Sequence, residues 1–122
     1  MADQSIDDFR ARRAEGQARL LDTDHLGLKR FMRLDTDAYT DRSDEGRLDA
    51  RTKELLGLVA STVLRCDDCI TYHIEKSVEQ GWSKREIEDA LNVALVVGGS
   101  ITIPHLRRAR TVLDALSSDS TK

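Results

Sequence analysis

Apolar positions recur through most of the chain at steps of three and four residues, the period of an amphipathic helix. The clearest stretch runs from Asp49 to Leu64, where Leu55, Leu56, Val59 and Val63 form an i, i+1, i+4, i+8 stripe. Cys66 then opens a second helix with Ile70, Ile74, Ser77 and Val78 on its inner line. Asp67 and Asp68 supply the acidic first turn that suits the helix dipole, and Gly81 is its stop. Next, Ser83-Lys84-Arg85-Glu86 is a capping box, in which the hydroxyl and the carboxylate satisfy free amide donors at a helix start. The helix it opens carries Ile87, Leu91, Ala94 and Leu95 and is expected to end at Gly98-Gly99. A last helix shows Leu106, Ala109, Leu113 and Leu116, with Pro104 tolerable in or before its first turn. Ala94 to Ile103 is rich in β-branched residues, but Gly98, Gly99 and Ser100 interrupt it. It therefore reads as two buried helix ends and not as a strand.

The first third is less patterned. Ala14, Ala18 and Leu21 keep helical spacing, as do Leu28, Phe31 and Met32, with Gly27 and the Asp-rich stretches 22–24 and 35–41 as interruptions. Two short helices are expected there. The pattern as a whole predicts an all-α single domain of about five or six helices over residues 1–122. Residues 1–46 would be an N-terminal helical extension and 47–116 the core.

Composition sharpens the reading. Within 122 residues, fifteen Leu and eleven Ala outnumber thirteen Val plus Ile, and five aromatics are present, a balance that favours helix over sheet. The formal charge is −3 with signs interspersed, so no basic field is available for nucleic acid. Met1 to Phe9 is polar and acidic, unlike a secretory signal, and no run approaches the ~20 apolar residues of a membrane span. A cytoplasmic protein with neither nucleic acid nor membrane as partner is expected.

Only two cysteines occur, Cys66 and Cys69, a CxxC pair. In a reducing compartment such dithiols are more often catalytic or metal-binding than structural. On a helix, Cys66, Cys69 and His73 at i, i+3 and i+7 fall within a sector of about 60°. His73 stands four residues after Cys69, the separation at which side chains touch, so the imidazole can accept the thiol proton. The positive end of the helix dipole favours the same thiolate, most strongly at Cys66. If the preceding helix folds back with a turn near Arg65, Glu54 comes within about one turn of His73 and could orient it. Geometry alone does not separate Glu54 from Glu75 or Glu79.

Glu54, then Cys66-Asp67-Asp68-Cys69, then His73, resembles the Glu, CxxC, xxxHis signature of the alkyl hydroperoxidase D-like branch of the carboxymuconolactone decarboxylase family. The flanks agree: Leu48-Asp49 and Lys53-Glu54-Leu55 before the cysteines, and Gly81, Ser83, Glu86, Ile87 and Gly98-Gly99 after them. The resemblance covers about residues 46 to 110. It implies an all-helical fold assembled as a trimer or as a hexamer built from dimers. It also implies thiol peroxidase or disulfide-reductase chemistry, with a peroxide or other small oxidant as substrate. A lipoyl-protein or thioredoxin-type electron donor would restore the dithiol, and no cofactor or metal is called for. Where the peroxidase branch often has His between the cysteines, Asp68 stands here.

In the reading that follows, Cys69 is the nucleophile, His73 takes its proton, Glu54 orients His73, and Cys66 resolves the sulfenic acid to a disulfide. The cysteine roles could be exchanged, because the first cysteine of a helix-start CxxC is frequently the more acidic. Two other readings remain open: a non-catalytic helical oligomer whose dithiol binds zinc or simply packs, and a decarboxylase-like enzyme on small acids with His73 as base. His25 and His105 read as structural or exposed, and Tyr72 and Trp82 as packing or interface residues. Arg107, Arg108 and Arg110 read as a solvated face with acidic partners in an assembly.

Overall fold

A computed structural model of the chain describes residues 2–117. Among them are six α-helices and no strand: α1 (Ala2–Leu21), α2 (Leu26–Ala38), α3 (Ala50–Val63), α4 (Asp67–Glu79), α5 (Lys84–Gly98) and α6 (Ile103–Ser117). Short 3-10 turns at Ser43–Glu45 and Ser100–Thr102 precede α3 and α6. The fold is all-α, as the apolar spacing predicts. No described helix is long and apolar enough to cross a membrane.

The chain divides into two compact units, one ending at Thr40 and one beginning at Asp41. In the first, α1 is a single helix of 20 residues, broken where the Asp22–Asp24 stretch begins. Gly27, expected as an interruption, lies instead inside the first turn of α2, whose N-cap is His25. The His25 Nδ1 accepts from the Leu28 amide at 3.3 Å, doing the work usually given to Ser, Thr, Asp or Asn.

The second unit is built around Leu58, Ile70, Ile74, Ile87, Leu91, Ala109 and Leu113. These come from α3, α4, α5 and α6, with α3 packed on α4 and α5, and α4 packed on α6. Each helix start is chemically marked. Asp49 caps α3 by accepting from the Thr52 amide at 2.7 Å, and Ser83 and Glu86 form the expected capping box on α5. Pro104 occupies the first turn of α6.

Two expectations about packing are corrected. On α3 the buried line is Glu54, Leu58 and Thr62, one position away from the predicted Leu55, Val59, Val63 stripe, and Leu56 is 53% exposed. Polar atoms can occupy that line because each is bonded: Thr62 Oγ1 donates to the Leu58 carbonyl at 2.8 Å, and Glu54 reaches α4. The helix ends between Ala94 and Ile103 are present but not buried. Val93, Val96, Val97 and Ile101 are exposed, and only Ala94 and Thr102 lie inside.

Candidate functional site

The site depends on how α3 gives way to α4. After Val63 the chain makes a Schellman closure: the Arg65 amide donates to the Thr62 carbonyl at 3.0 Å and the Cys66 amide to the Ser61 carbonyl at 3.1 Å. Arg65 takes the left-handed conformation, φ 63°, that glycine usually supplies at this position. For a side-chain-bearing residue that conformation costs about 1–2 kcal/mol. Cys66 both ends this closure and caps α4. The link is therefore one of the tightest by which two helices can reverse, and it lays α3 antiparallel against α4.

Cys66 has extended backbone angles, and its Sγ accepts from the Cys69 amide at 3.3 Å, a sulfur in the place of a capping oxygen. Its carbonyl accepts from the Ile70 amide at 2.9 Å. The two cysteine Cα atoms lie 5.3 Å apart and their sulfurs are joined to each other. Cys66 is half-buried and Cys69 exposed, so the pair opens to solvent on the Cys69 side.

One turn deeper, His73 and Glu54 meet. Nδ1 of the imidazole lies 2.9 Å from Glu54 Oε1, and each residue is only 8% exposed. With Glu54 ionised, Nδ1 carries the hydrogen and donates it, which leaves Nε2 as the basic nitrogen of the neutral ring. The Tyr72 ring stands edge-on to His73, centroids 5.2 Å apart. The four residues singled out from the sequence thus sit on the facing helices α3 and α4 and on the turn between them. Glu75 and Glu79, which spacing could not separate from Glu54, are not partners in this pair. No group of three or more His, Cys, Asp or Glu among the described residues is arranged to hold a metal ion.

A second cluster joins the start of α4 to α6. Asp67, between the cysteines, accepts from His105 Nδ1 at 2.8 Å through Oδ1 and from Arg108 Nη1 at 2.6 Å through Oδ2. Arg110 likewise pairs within the chain, with Glu88 and Asp114. Two of the three arginines read as a solvated face, Arg108 and Arg110, thus find acidic partners within the chain. Separations of 38 and 41 residues in sequence left no periodic signal for the Asp67 contacts.

The sequence model of the carboxymuconolactone decarboxylase family matches residues 27–111. The chain belongs to that family. A family protein from Thermotoga maritima, for which an antioxidative role has been suggested, is 50% identical with a TM-score of 0.84, over 93% of this chain and 92% of that one. An apo family protein from Legionella pneumophila shares the fold at 23% identity and a TM-score of 0.75, over 96% of this chain and 98% of that one. Uncharacterised protein 4 in the cox locus of Paracoccus denitrificans is 31% identical over 72 residues, 59% of this chain. That match spans 65% of the Paracoccus protein's own length.

Proposed function

We propose that this family member is a thiol-dependent oxidoreductase of the alkyl hydroperoxidase D-like branch, a peroxidase or disulfide reductase that cycles Cys66 and Cys69 between dithiol and disulfide. The observation that carries the reading is the joined cysteine pair at the start of α4 with a buried, carboxylate-bonded imidazole one turn along the same helix. A buried carboxylate and imidazole are costly to desolvate unless they pair, and a pair beside a solvent-facing thiol has an evident use in proton transfer. The antioxidative role suggested for the Thermotoga relative points the same way.

In the reduced protein, Nε2 of His73 takes the Cys69 thiol proton while Glu54 holds Nδ1. The thiolate attacks the outer oxygen of a peroxide; the O–O bond breaks, and the leaving alkoxide takes up a proton to become an alcohol. Cys69 is left as a sulfenic acid. Attack by the Cys66 thiol forms the S–S bond and releases water, which keeps the sulfur from climbing to irreversible acids. A donor dithiol, lipoyl or thioredoxin-like, then returns two electrons and two protons. Exposure of Cys69 suits it to meet oxidant first, while the capping position of Cys66 favours its thiolate as leaving group during reduction.

We further propose a homo-oligomer, because Val93, Val96 and Val97 make an exposed apolar face on α5; trimer or hexamer is what the family resemblance implies.

The decisive experiment follows peroxide consumption with dihydrolipoamide, thioredoxin and glutathione systems as donors. Turnover with at least one donor, abolished by Cys69→Ser, is expected. Activity toward small carboxylic acids that survives loss of both cysteines would replace this reading with a decarboxylase-like one.

A further inference from the structure

Asp67 poses an electrostatic problem. As the first residue of α4 it stabilises the helix start, where partial positive charge collects, but it also sets a carboxylate between two sulfurs that must become thiolates. A negative charge there opposes thiolate formation and makes the disulfide harder to reduce. Both oxygens of this carboxylate are taken up by cationic or donor groups from α6: His105 at 2.8 Å on one and Arg108 at 2.6 Å on the other. Such an arrangement cancels the charge while keeping its grip on the helix.

We propose that His105 and Arg108 are positioning residues that act through Asp67, neutralising its carboxylate and tying the start of α4 to α6, and that they thereby set the reduction equilibrium of the Cys66–Cys69 pair. The proposal rests on the redox reading above. Arg108 is 63% exposed in its side chain, and its contact with Asp67 holds its charge at the start of α4. Its influence should therefore vanish with Asp67. That dependence separates a lock from an ordinary surface charge, whose effect would simply add.

The test equilibrates the full-length protein in a dithiol/cyclic-disulfide buffer and reads the fraction of free thiols after quenching. Reduction breaks the Cys66–Cys69 bond through a mixed disulfide; the buffer dithiol is oxidised to its ring form and the two cysteines gain two electrons and two protons. Arg108→Ala should lower the equilibrium constant for reduction about threefold, the scale expected of a half-exposed charge pair. His105→Gln should lower it less, and Arg108→Lys should restore most of the wild-type value. In an Asp67→Asn background, Arg108→Ala should change the constant by less than about 1.5-fold, whereas in an Asp68→Asn background it should keep its full effect. Equal effects of Arg108→Ala in all three backgrounds, or none in wild type, would overturn the lock while leaving the redox reading intact. A wild-type pair that does not equilibrate reversibly with the buffer would sink both.

Discussion

Burying Glu54 and His73 together removes both from water, and the 2.9 Å contact between them is what makes that burial tolerable. Glu54→Gln keeps the shape and one acceptor oxygen but deletes the charge that holds the imidazole in its basic tautomer. Peroxide or disulfide turnover is expected to fall more than tenfold, within the range that positioned acid and base groups contribute. Glu79→Gln, on an exposed side chain bonded to Lys76, should change turnover less than twofold. Steady-state rates on the two variants, with folding checked by circular dichroism, measure the contrast. His73→Ala supplies a companion test. Alkylation of the reduced protein should titrate below the free-cysteine value of ~8.5, and its midpoint should rise in the variant. An unmoved midpoint would leave the helix dipole as sole activator. Among single residues, the cysteines and His73 were legible from spacing, whereas Glu54 stood out only through the family signature. No rule of spacing selects one carboxylate of α3 as buried, because isolated carboxylates usually face water.

At the scale of elements, the start of α3 depends on two carboxylates. Asp49 caps the helix, and Asp41 accepts from the Ser43 amide, the Ser43 hydroxyl and the Ala50 amide, tying the preceding 3-10 turn to the helix. Hydrogen bonds from Thr52 hold the Asp49 carboxyl below its ordinary 3.8, and those from Ser43 do the same for Asp41. Groups whose folded values are depressed contribute stability that is fully present above the ordinary value and is lost as pH falls through the lower folded one. Melting temperature should thus be insensitive to these two groups above about pH 5 and drop below about pH 4. The double variant Asp41→Asn, Asp49→Asn should be less stable at neutral pH and flatter across the acid range. Thermal melts between about pH 2.5 and 6 check both. The helices themselves were readable from caps and stops such as Ser83–Glu86 and Gly81. Their rotation was not: the buried line of α3 runs through Glu54 and Thr62, because bonding partners on neighbouring backbone and on α4 outweighed side-chain hydrophobicity.

For the whole molecule, the exposed valines of α5 bear on assembly. Val96 is 76% and Val97 68% exposed, on a helix whose opposite side is packed into the core through Ile87, Leu91 and Ala94. Light scattering at micromolar concentration is expected to find an oligomer, and Val96→Asp should shift it toward monomer while leaving helicity unchanged. A monomeric wild type would remove the proposed interface. The sequence reads Val96 and Val97 as part of buried helix ends for a simple reason. Periodicity reports which residues are apolar, and an interface uses the same residues as a core.

Local chemistry wrote several features directly into the sequence: the all-α fold, the approximate positions of the four C-terminal helices, and the placement of a CxxC pair at the start of one helix with a histidine one turn along it. Each depends on neighbours within about one turn, and such short-range rules can be read from a linear pattern. Only the tertiary structure decided that the α3–α4 turn would close through a left-handed Arg65, bringing Glu54 to His73, and that α6 would carry His105 and Arg108 to Asp67. Those contacts join residues 19, 38 and 41 positions apart. They form because packing the core fixes where helices lie and which polar groups must then find partners, and that is a property of the assembled fold.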